Sequence, residues 1–265
     1  LEEDLGQQLL VRTTRQVALT SAGAIVAARF RPLIEEFDRV ADEITRAARP
    51  DQGRLSINAP MSLGQRLMPT LVDRFRLAYP GIQLEVTLTD EMVDIVQEDC
   101  DLAIRVSGPP SDKSTIWRKV CEVPRRVVAA PALFERMQRP ARPEDLDPAF
   151  CLSYSARGQE EIWEFRKDGA KRSVTAGMAV VSNNGDFLYA LAKSGNGVVL
   201  LPDFIVNEGI ASGAVETVLE EWVIAPLWLT LFYPPYEVLP PLVATFTDFF
   251  EAHLREVAGL TFDGT

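Results

Sequence analysis

The run of apolar and polar positions divides the chain into a short N-terminal block, one long helix, and a longer alternation of strands and helices. Leu5-Gly6 reads as a helix stop. Leu9, Leu10 and Val11 form an apolar anchor, Arg12-Thr13-Thr14-Arg15 a polar hairpin tip, and Val17 and Leu19 a returning strand. Thr20 or Ser21 then caps a helix that runs to about Ala48, where Arg49-Pro50-Asp51-Gln52-Gly53 ends it. Along this helix Val26, Phe30, Leu33, Phe37, Val40 and Ile44 recur at spacings of 4, 3, 4, 3 and 4. That is the period of a helix paired with a helix. The seam can serve as the buried face of an ordinary amphipathic helix or as a contact with a second copy of the chain, and its length and regularity favour the second. Pro32 withholds a backbone hydrogen bond inside the pattern and should kink it.

After Gly53 the period switches. Leu55, Ile57 and Ala59 alternate as a strand. Ser62 could cap a helix carrying Leu63, Leu67, Leu71 and Phe75, which ends at Tyr79-Pro80-Gly81. Ile82 to Leu88 alternates as a second strand, Asp90 caps a short helix to about Glu98, and Asp101 to Val106 reads as a third, buried strand. This βαβαβ order predicts a doubly wound unit on a parallel sheet. A second such unit follows. Arg126 to Ala130 is a strand, Pro131 opens a helix, and Cys151 to Tyr154 is a strand. Glu161–Arg166 and Arg172–Ala176 form a hairpin around Asp168-Gly169. Val180-Val181 leads through Ser182-Asn183-Asn184-Gly185 into a helix to Ser194, and Gly197 to Leu201 is a strand stopped by Pro202. Trp228 to Phe232 and the helix Pro241 to Val257 are expected to return to the first unit. Two crossings between two α/β lobes would leave a cleft at the strand carboxyl ends.

Composition narrows this picture without changing it. The 265 residues are 47% hydrophobic and 25% charged, which excludes a disordered chain, a collagen-like repeat and a small disulfide scaffold. The net charge of −11 argues against a polyanion binder if spread evenly, but it is not. Residues 201–265 hold ten acids against Arg255 alone, whereas residues 11–34 hold Arg12, Arg15, Arg29 and Arg31 and no acid. A basic island therefore sits near the start of an acidic chain. Three widely spaced cysteines, Cys100, Cys121 and Cys151, suit a reducing cytoplasm and match no zinc pattern. Nothing approaches eighteen successive apolar residues, so no membrane span is expected.

Catalytic chemistry finds little support. The one histidine, His253, lies among surface-type residues of the last helix and reads as a solvated side chain, so nucleophilic triads lack an obvious base. No phosphate-loop or metal-binding helix motif is present, and no cofactor or metal is expected. Gly195-Asn196-Gly197 precedes a strand, the wrong order for a dinucleotide fingerprint. The dense acids Glu91, Asp94, Glu98, Asp99 and Asp101 read as a solvated face, and the cysteines as buried structural thiols. Binding remains. Ser62 and Ser182-Asn183-Asn184 each stand at a helix start, where free N–H groups could receive an anion or simply be capped.

The block Leu1-Glu2-x-x-Leu5-Gly6-x-x-Leu9-Leu10-x-Arg12-Thr13-Thr14-Arg15-x-Val17-x-Leu19-Thr20-x-Ala22-Gly23 closely resembles the LysR-type transcriptional regulators. The resemblance continues through Gly53-Arg54-Leu55-Ser56-Ile57, Leu67-x-Pro69, Phe75-x-x-Ala78-Tyr79-Pro80, Asp101-Leu102-Ala103-Ile104-Arg105 and Val128-Ala129-Ala130-Pro131. Gly195-x-Gly197-Val198-x-x-Leu201-Pro202 and Phe246-x-Asp248-Phe249 complete it across essentially the whole chain. It implies an α/β chain: part of a winged helix-turn-helix, a long dimerising linker helix, and a two-lobed effector domain like the type 2 periplasmic binding proteins. By that resemblance residues 1–19 are the end of the recognition helix and the wing, 20–50 the linker helix, and 51–265 the effector domain. Lobe I is then about 53–123 with 229–258, and lobe II about 124–228. The first helices of the reading head, with the base-reading residues, are expected to lie outside this sequence. The family also implies a homodimer or homotetramer, double-stranded operator DNA and a small-molecule effector as partners, and no enzymatic activity. A solute-binding protein of the same two-lobed fold is the alternative, and it would carry a secretory signal and no wing.

Two sets of contacts follow. Arg12, Thr13, Thr14 and Arg15 should meet DNA backbone, because charged and hydroxyl donors suit phosphate oxygens. The effector pocket should draw Ser62, Leu63, Arg105, Val106 and Ser107 from lobe I, and Ser182, Asn183, Asn184, Leu201 and Pro202 from lobe II. Two helix N-termini favour an anionic or polar effector, with Leu63, Val106 and Pro202 as an apolar wall. Arg105 could instead hold a neighbouring carboxylate of its own lobe.

Overall fold

A computed structural model of the chain describes residues 1–12, 17–47, 50–91, 100–110, 116–155, 161–177, 180–257, 260 and 262. They fall into two compact units, Leu1–Arg49 and Pro50–Thr265.

In the first unit α1 (Glu2–Leu5) ends at Gly6, whose left-handed φ of 61° lets the chain reverse. The Glu2 carboxylate accepts from the Leu9 and Leu10 amides at 2.6 and 3.0 Å. β1 (Leu10–Arg12) pairs antiparallel with β2 (Val17–Leu19); Thr13, Thr14 and Arg15 lie outside the described residues. Thr20 caps α2 (Ser21–Ala47), its Oγ1 accepting from Gly23 N at 2.9 Å while donating to Gln8 O at 2.7 Å. A Cβ at Gly23 would stand 2.0 Å from Leu9 O, so only glycine lets the helix rest on the hairpin. α2 holds 27 residues and continues through Pro32.

The second unit begins with β3 (Gly53–Ala59), α3 (Met61–Arg66), α4 (Met68–Ala78), β4 (Ile82–Leu88), β5 (Leu102–Ser107) and β6 (Ile116–Val123). The single helix expected from Ser62 to Tyr79 is two helices. Pro69, in the first turn of α4, has no N–H for a continuous ladder, and the chain breaks at Leu67. Ser62 caps nothing. Pro60 holds the N-cap position of α3, and the Met61 amide donates to Asp90 Oδ1 at 3.2 Å. The helix expected after Asp90 falls on residues 92–99, outside those described.

The chain crosses at Pro124 into β7 (Arg125–Ala129) and a 3-10 turn at Pro131–Glu135, shorter than the expected helix. There follow β8 (Cys151–Tyr154), β9 (Glu161–Lys167), β10 (Ala170–Ala176), β11 (Val181–Ser182), α5 (Gly185–Lys193), β12 (Val198–Pro202), α6 (Asp203–Ala211), β13 (Glu216–Val218) and β14 (Val223–Ile224). β6 and α6 went unforeseen in the sequence: β6 alternates poorly, and Phe204-Ile205-Val206 has no helix signature. The chain crosses back at Ala225-Pro226 into β15 (Leu227–Tyr233) and α7 (Pro241–Leu254).

Each lobe has its own five-stranded sheet. The first has the order β4-β3-β5-β15-β6, with β3 parallel to β4 and β5, and β15 antiparallel to both neighbours. It is therefore mixed, because β15 enters from the cleft side after the second crossing. The second sheet has the order β11-β8-β12-β7-β13, and β10-β9-β14 forms a three-stranded sheet beside it. The first core packs α4 and α7 on the sheet; Phe75 meets Phe246 and Phe249 edge-on at 5.3 and 5.2 Å. Trp163 and Phe165 fill the core beneath the three-stranded sheet. His253 is buried, contrary to its surface reading: it faces inward from α7, and burial followed by the Arg74 charge holds its pKa below the ordinary value. All three cysteines are buried.

Candidate functional site

Strands β3 and β5 end, and α3 and α6 begin, at the seam between the two sheets, and a cavity of about 260 Å³ lies there. Lobe I supplies Pro60, Ser62, Asp90, Val106 and Ser107, and lobe II supplies Tyr154, Glu161, Gly185, Leu200, Leu201, Pro202, Phe204 and Ile205. Arg125 and Leu227 enter from the two crossings. The body of the cavity is apolar, with few polar groups, as in sites for small organic molecules.

Those polar groups are tied into the fold. The Asp90 carboxylate accepts from the Met61 amide at 3.2 Å and interacts electrostatically with Tyr154 of the opposite lobe. Burial raises the Asp90 pKa, and burial followed by the Asp90 charge raises that of Tyr154. Glu161 Oε2 accepts from Tyr154 N at 2.8 Å, and burial raises its pKa as well. Arg125 faces Glu161 electrostatically, yet its Nε and Nη2 both donate to Ala225 O, at 3.2 and 2.9 Å. Ser62 Oγ is buried without a hydrogen-bond partner. A Cβ at Gly185 would stand 3.3 Å from that oxygen and 2.8 Å from Ile205 Cδ1, so glycine sets how closely the lobes approach.

Among the described residues one ion pair joins the lobes beside the cavity. Arg66, ending α3, reaches Asp186 Oδ1 in the first turn of α5 with Nε at 2.8 Å and Nη2 at 2.7 Å, and its guanidinium lies 5.8 Å from the Tyr189 ring centre. Asp186 Oδ2 is buried without a partner.

Of the residues singled out in the sequence, Ser62, Val106, Ser107, Leu201 and Pro202 stand on the wall of this cavity. Leu63 is turned into the lobe I core, because Ser62 takes the cleft-facing position of that turn. Arg105 is buried in lobe I, donating to Asn58 Oδ1 and Ile104 O, each at 2.7 Å, and to Glu91 O at 3.5 Å, and its charge lowers the Asp90 pKa. Ser182 and Asn184 serve local turns: Ser182 Oγ accepts from Asn184 N at 3.1 Å, and Asn184 Oδ1 caps α5 by accepting from Phe187 N at 2.8 Å. Asn183 is exposed. Asp90, Tyr154, Glu161 and Arg125 were missed. Tyr154 closes β8 and obeys the strand-end rule that selected Ser107 and Pro202; Glu161 begins β9, and no strand-end rule selects it. Among the described residues no group of three His, Cys, Asp or Glu could hold a metal ion, and no helix is long and apolar enough to cross a membrane.

In the first unit Phe30, Leu33 and Phe37 are 46%, 65% and 72% exposed, and Ile25 and Ile34 widen the apolar stripe. Val26 is half-buried, and the Val40 and Ile44 side chains lie outside those described. Arg12 ends β1 at the hairpin tip.

Residues 48–255 match the family model for the LysR substrate binding domain. The chain belongs to the LysR family. The LysR match takes in every residue of the cavity wall. The HTH-type transcriptional regulator PtxR of Pseudomonas aeruginosa is 28% identical over 254 residues, covering 96% of this chain and 81% of that protein. An uncharacterised HTH-type regulator of Haemophilus influenzae is 30% identical, covering 91% and 83%. Among solved structures, CrgA of Neisseria meningitidis, a LysR-type transcriptional regulator, is similar with a TM-score of 0.68 and 27% identity over 96% of this chain and 86% of that one. These relatives are transcriptional regulators, not enzymes, which favours the regulator reading over a solute-binding protein.

Proposed function

We propose that this LysR-type regulator binds a small molecule in the cavity between its lobes and relays occupancy to double-stranded operator DNA through a homo-oligomer. The cavity carries the reading: it is walled from both lobes, so a ligand that fits only when they are closed must shift their equilibrium. The Arg66–Asp186 pair spans the same seam and biases the same motion. On this reading residues 51–265 are the effector domain, the hairpin of 1–19 is the wing, and 20–50 is the linker helix in a cytoplasmic homodimer or homotetramer. The linker pairs through Val26, Phe30, Leu33, Phe37, Val40 and Ile44, and Arg12, Thr13, Thr14 and Arg15 contact phosphate.

The test is a Gly185→Leu regulator driving a reporter from its own operator. A side chain there fills the seam between Ile205 and Ser62. Operator binding in the absence of effector should persist while the response to effector is lost. A retained response would remove this cavity as the effector site. In the intact regulator Arg12→Ala should lower affinity for all DNA sequences alike and flatten the salt slope by about one unit. A changed sequence preference would contradict the backbone role.

A further inference from the structure

The sequence pointed to an anionic or polar effector, because two helix starts are expected to face the cleft. In the folded protein those positions are already filled by the chain's own acceptors. The first amide of α3 donates to the Asp90 carboxylate, and α5 is capped by Asn184 and carries Asp186 in its first turn. α6 opens on Asp203, which is buried and held by Arg126 at 3.0 Å. Each of these positive helix ends thus already has an acceptor or a carboxylate of the chain itself beside it. What faces the cavity is two carboxylates, Asp90 and Glu161, against one guanidinium, Arg125, whose Nε and Nη2 donate to Ala225 O. A ligand carboxylate would meet like charge in a site of low dielectric. Independently of these acids, Ser62 is only 7% exposed and its hydroxyl, on the cavity wall, has no partner. A buried orphan of this kind calls for a ligand atom.

We propose that the effector is not an anion: it is a small molecule with an apolar body and an uncharged or cationic hydrogen-bond donor directed at Asp90, with a polar atom within reach of Ser62. The proposal rests on the cavity being the effector site. Burial raises the pKa of both wall carboxylates, and a hydrogen-bond donor on the ligand opposes that shift by favouring their charged form. The apolar body packs against Val106, Leu201, Pro202 and Phe204.

The experiment uses three probes with the same phenyl body and a two-carbon chain: phenethylamine, 2-phenylethanol and phenylacetate, each titrated at millimolar concentration into the full chain and read by thermal shift and calorimetry. The amine and the alcohol should bind at least about tenfold more tightly than the carboxylate, the size of one charge-assisted hydrogen bond. Asp90→Asn keeps an acceptor for the Met61 amide but removes the charge, and should shrink that ratio by about tenfold. A carboxylate that binds as tightly as the other two, or a ratio unchanged in both Asp90→Asn and Glu161→Gln, overturns the proposal. If the carboxylate is the preferred probe and Gly185→Leu abolishes its binding, the cavity stands as the effector site and only the charge assignment falls. Binding of none of the three overturns the charge assignment, and the reporter response of Gly185→Leu then decides the cavity separately.

Discussion

A double-mutant cycle on Arg66 and Asp186 tests whether their ion pair holds the two lobes together. Both guanidinium contacts fall on one oxygen, Oδ1, at 2.8 and 2.7 Å, and the side chains are 26% and 25% exposed. Fully exposed pairs contribute about 0.2–1 kcal/mol, and hydrogen bonds to charged groups shielded from water about 1.5–3 kcal/mol. A quarter-exposed pair falls between, so the coupling expected is about 1.5 kcal/mol. The two single changes should differ. Arg66→Ala also removes the guanidinium from the Tyr189 ring, a contact worth about 0.5–1 kcal/mol. It further leaves Asp186 with neither oxygen paired, since Oδ2 has no partner to begin with. Asp186→Ala leaves a long side chain free to turn its charge into water. Arg66→Ala should therefore be the more destabilising by about 1 kcal/mol. Urea unfolding of the parent, both single variants and the double variant gives the coupling directly, provided the m-values agree. A coupling within about 0.3 kcal/mol of zero, or a larger loss for Asp186→Ala, would refute the reasoning.

Phe30→Asp combined with Phe37→Asp should weaken self-association strongly, since burying each such side chain is worth about 1.5–3 kcal/mol; an unchanged sedimentation profile would exclude this seam. The three buried thiols should resist a thiol reagent in the native protein and all react in urea, with burial, then Asp147 and Glu161, pushing the Cys151 pKa up to about 12; rapid native labelling of Cys151 would contradict its packing. His253 has a folded pKa below the ordinary 6.5, so the unfolded chain takes up its proton first. Stability should fall as pH drops below 6.5 until the folded pKa is passed, and His253→Gln should lack that component of the pH dependence.

Local pattern determined much of this molecule. Gly6, the alternating Leu55-Ile57-Ala59 strand, the Asp168-Gly169 turn and the apolar stripe of α2 are each specified by residues near in sequence, and backbone sterics and side-chain period act at that range. The strand-end rule placed Ser107, Leu201 and Pro202 on the cavity wall because a parallel β-strand delivers its carboxyl end to a fixed side of the sheet. The charge of the site was not legible in this way. Whether a helix start is open to a ligand depends on what the rest of the chain puts there, and Asp90 reaches Met61 from 29 residues away. Nor could sequence separate Ser62, on the wall, from Leu63, in the core, or draw Arg105 inward to Asn58, 47 positions off. His253 followed the same logic: a residue type usually solvated was buried because α7 turns that face onto the lobe. Propensity and periodicity act within a few residues, so they specify elements. Burial and electrostatics act between elements, so the polarity of the cleft was decided only when the two lobes packed against each other.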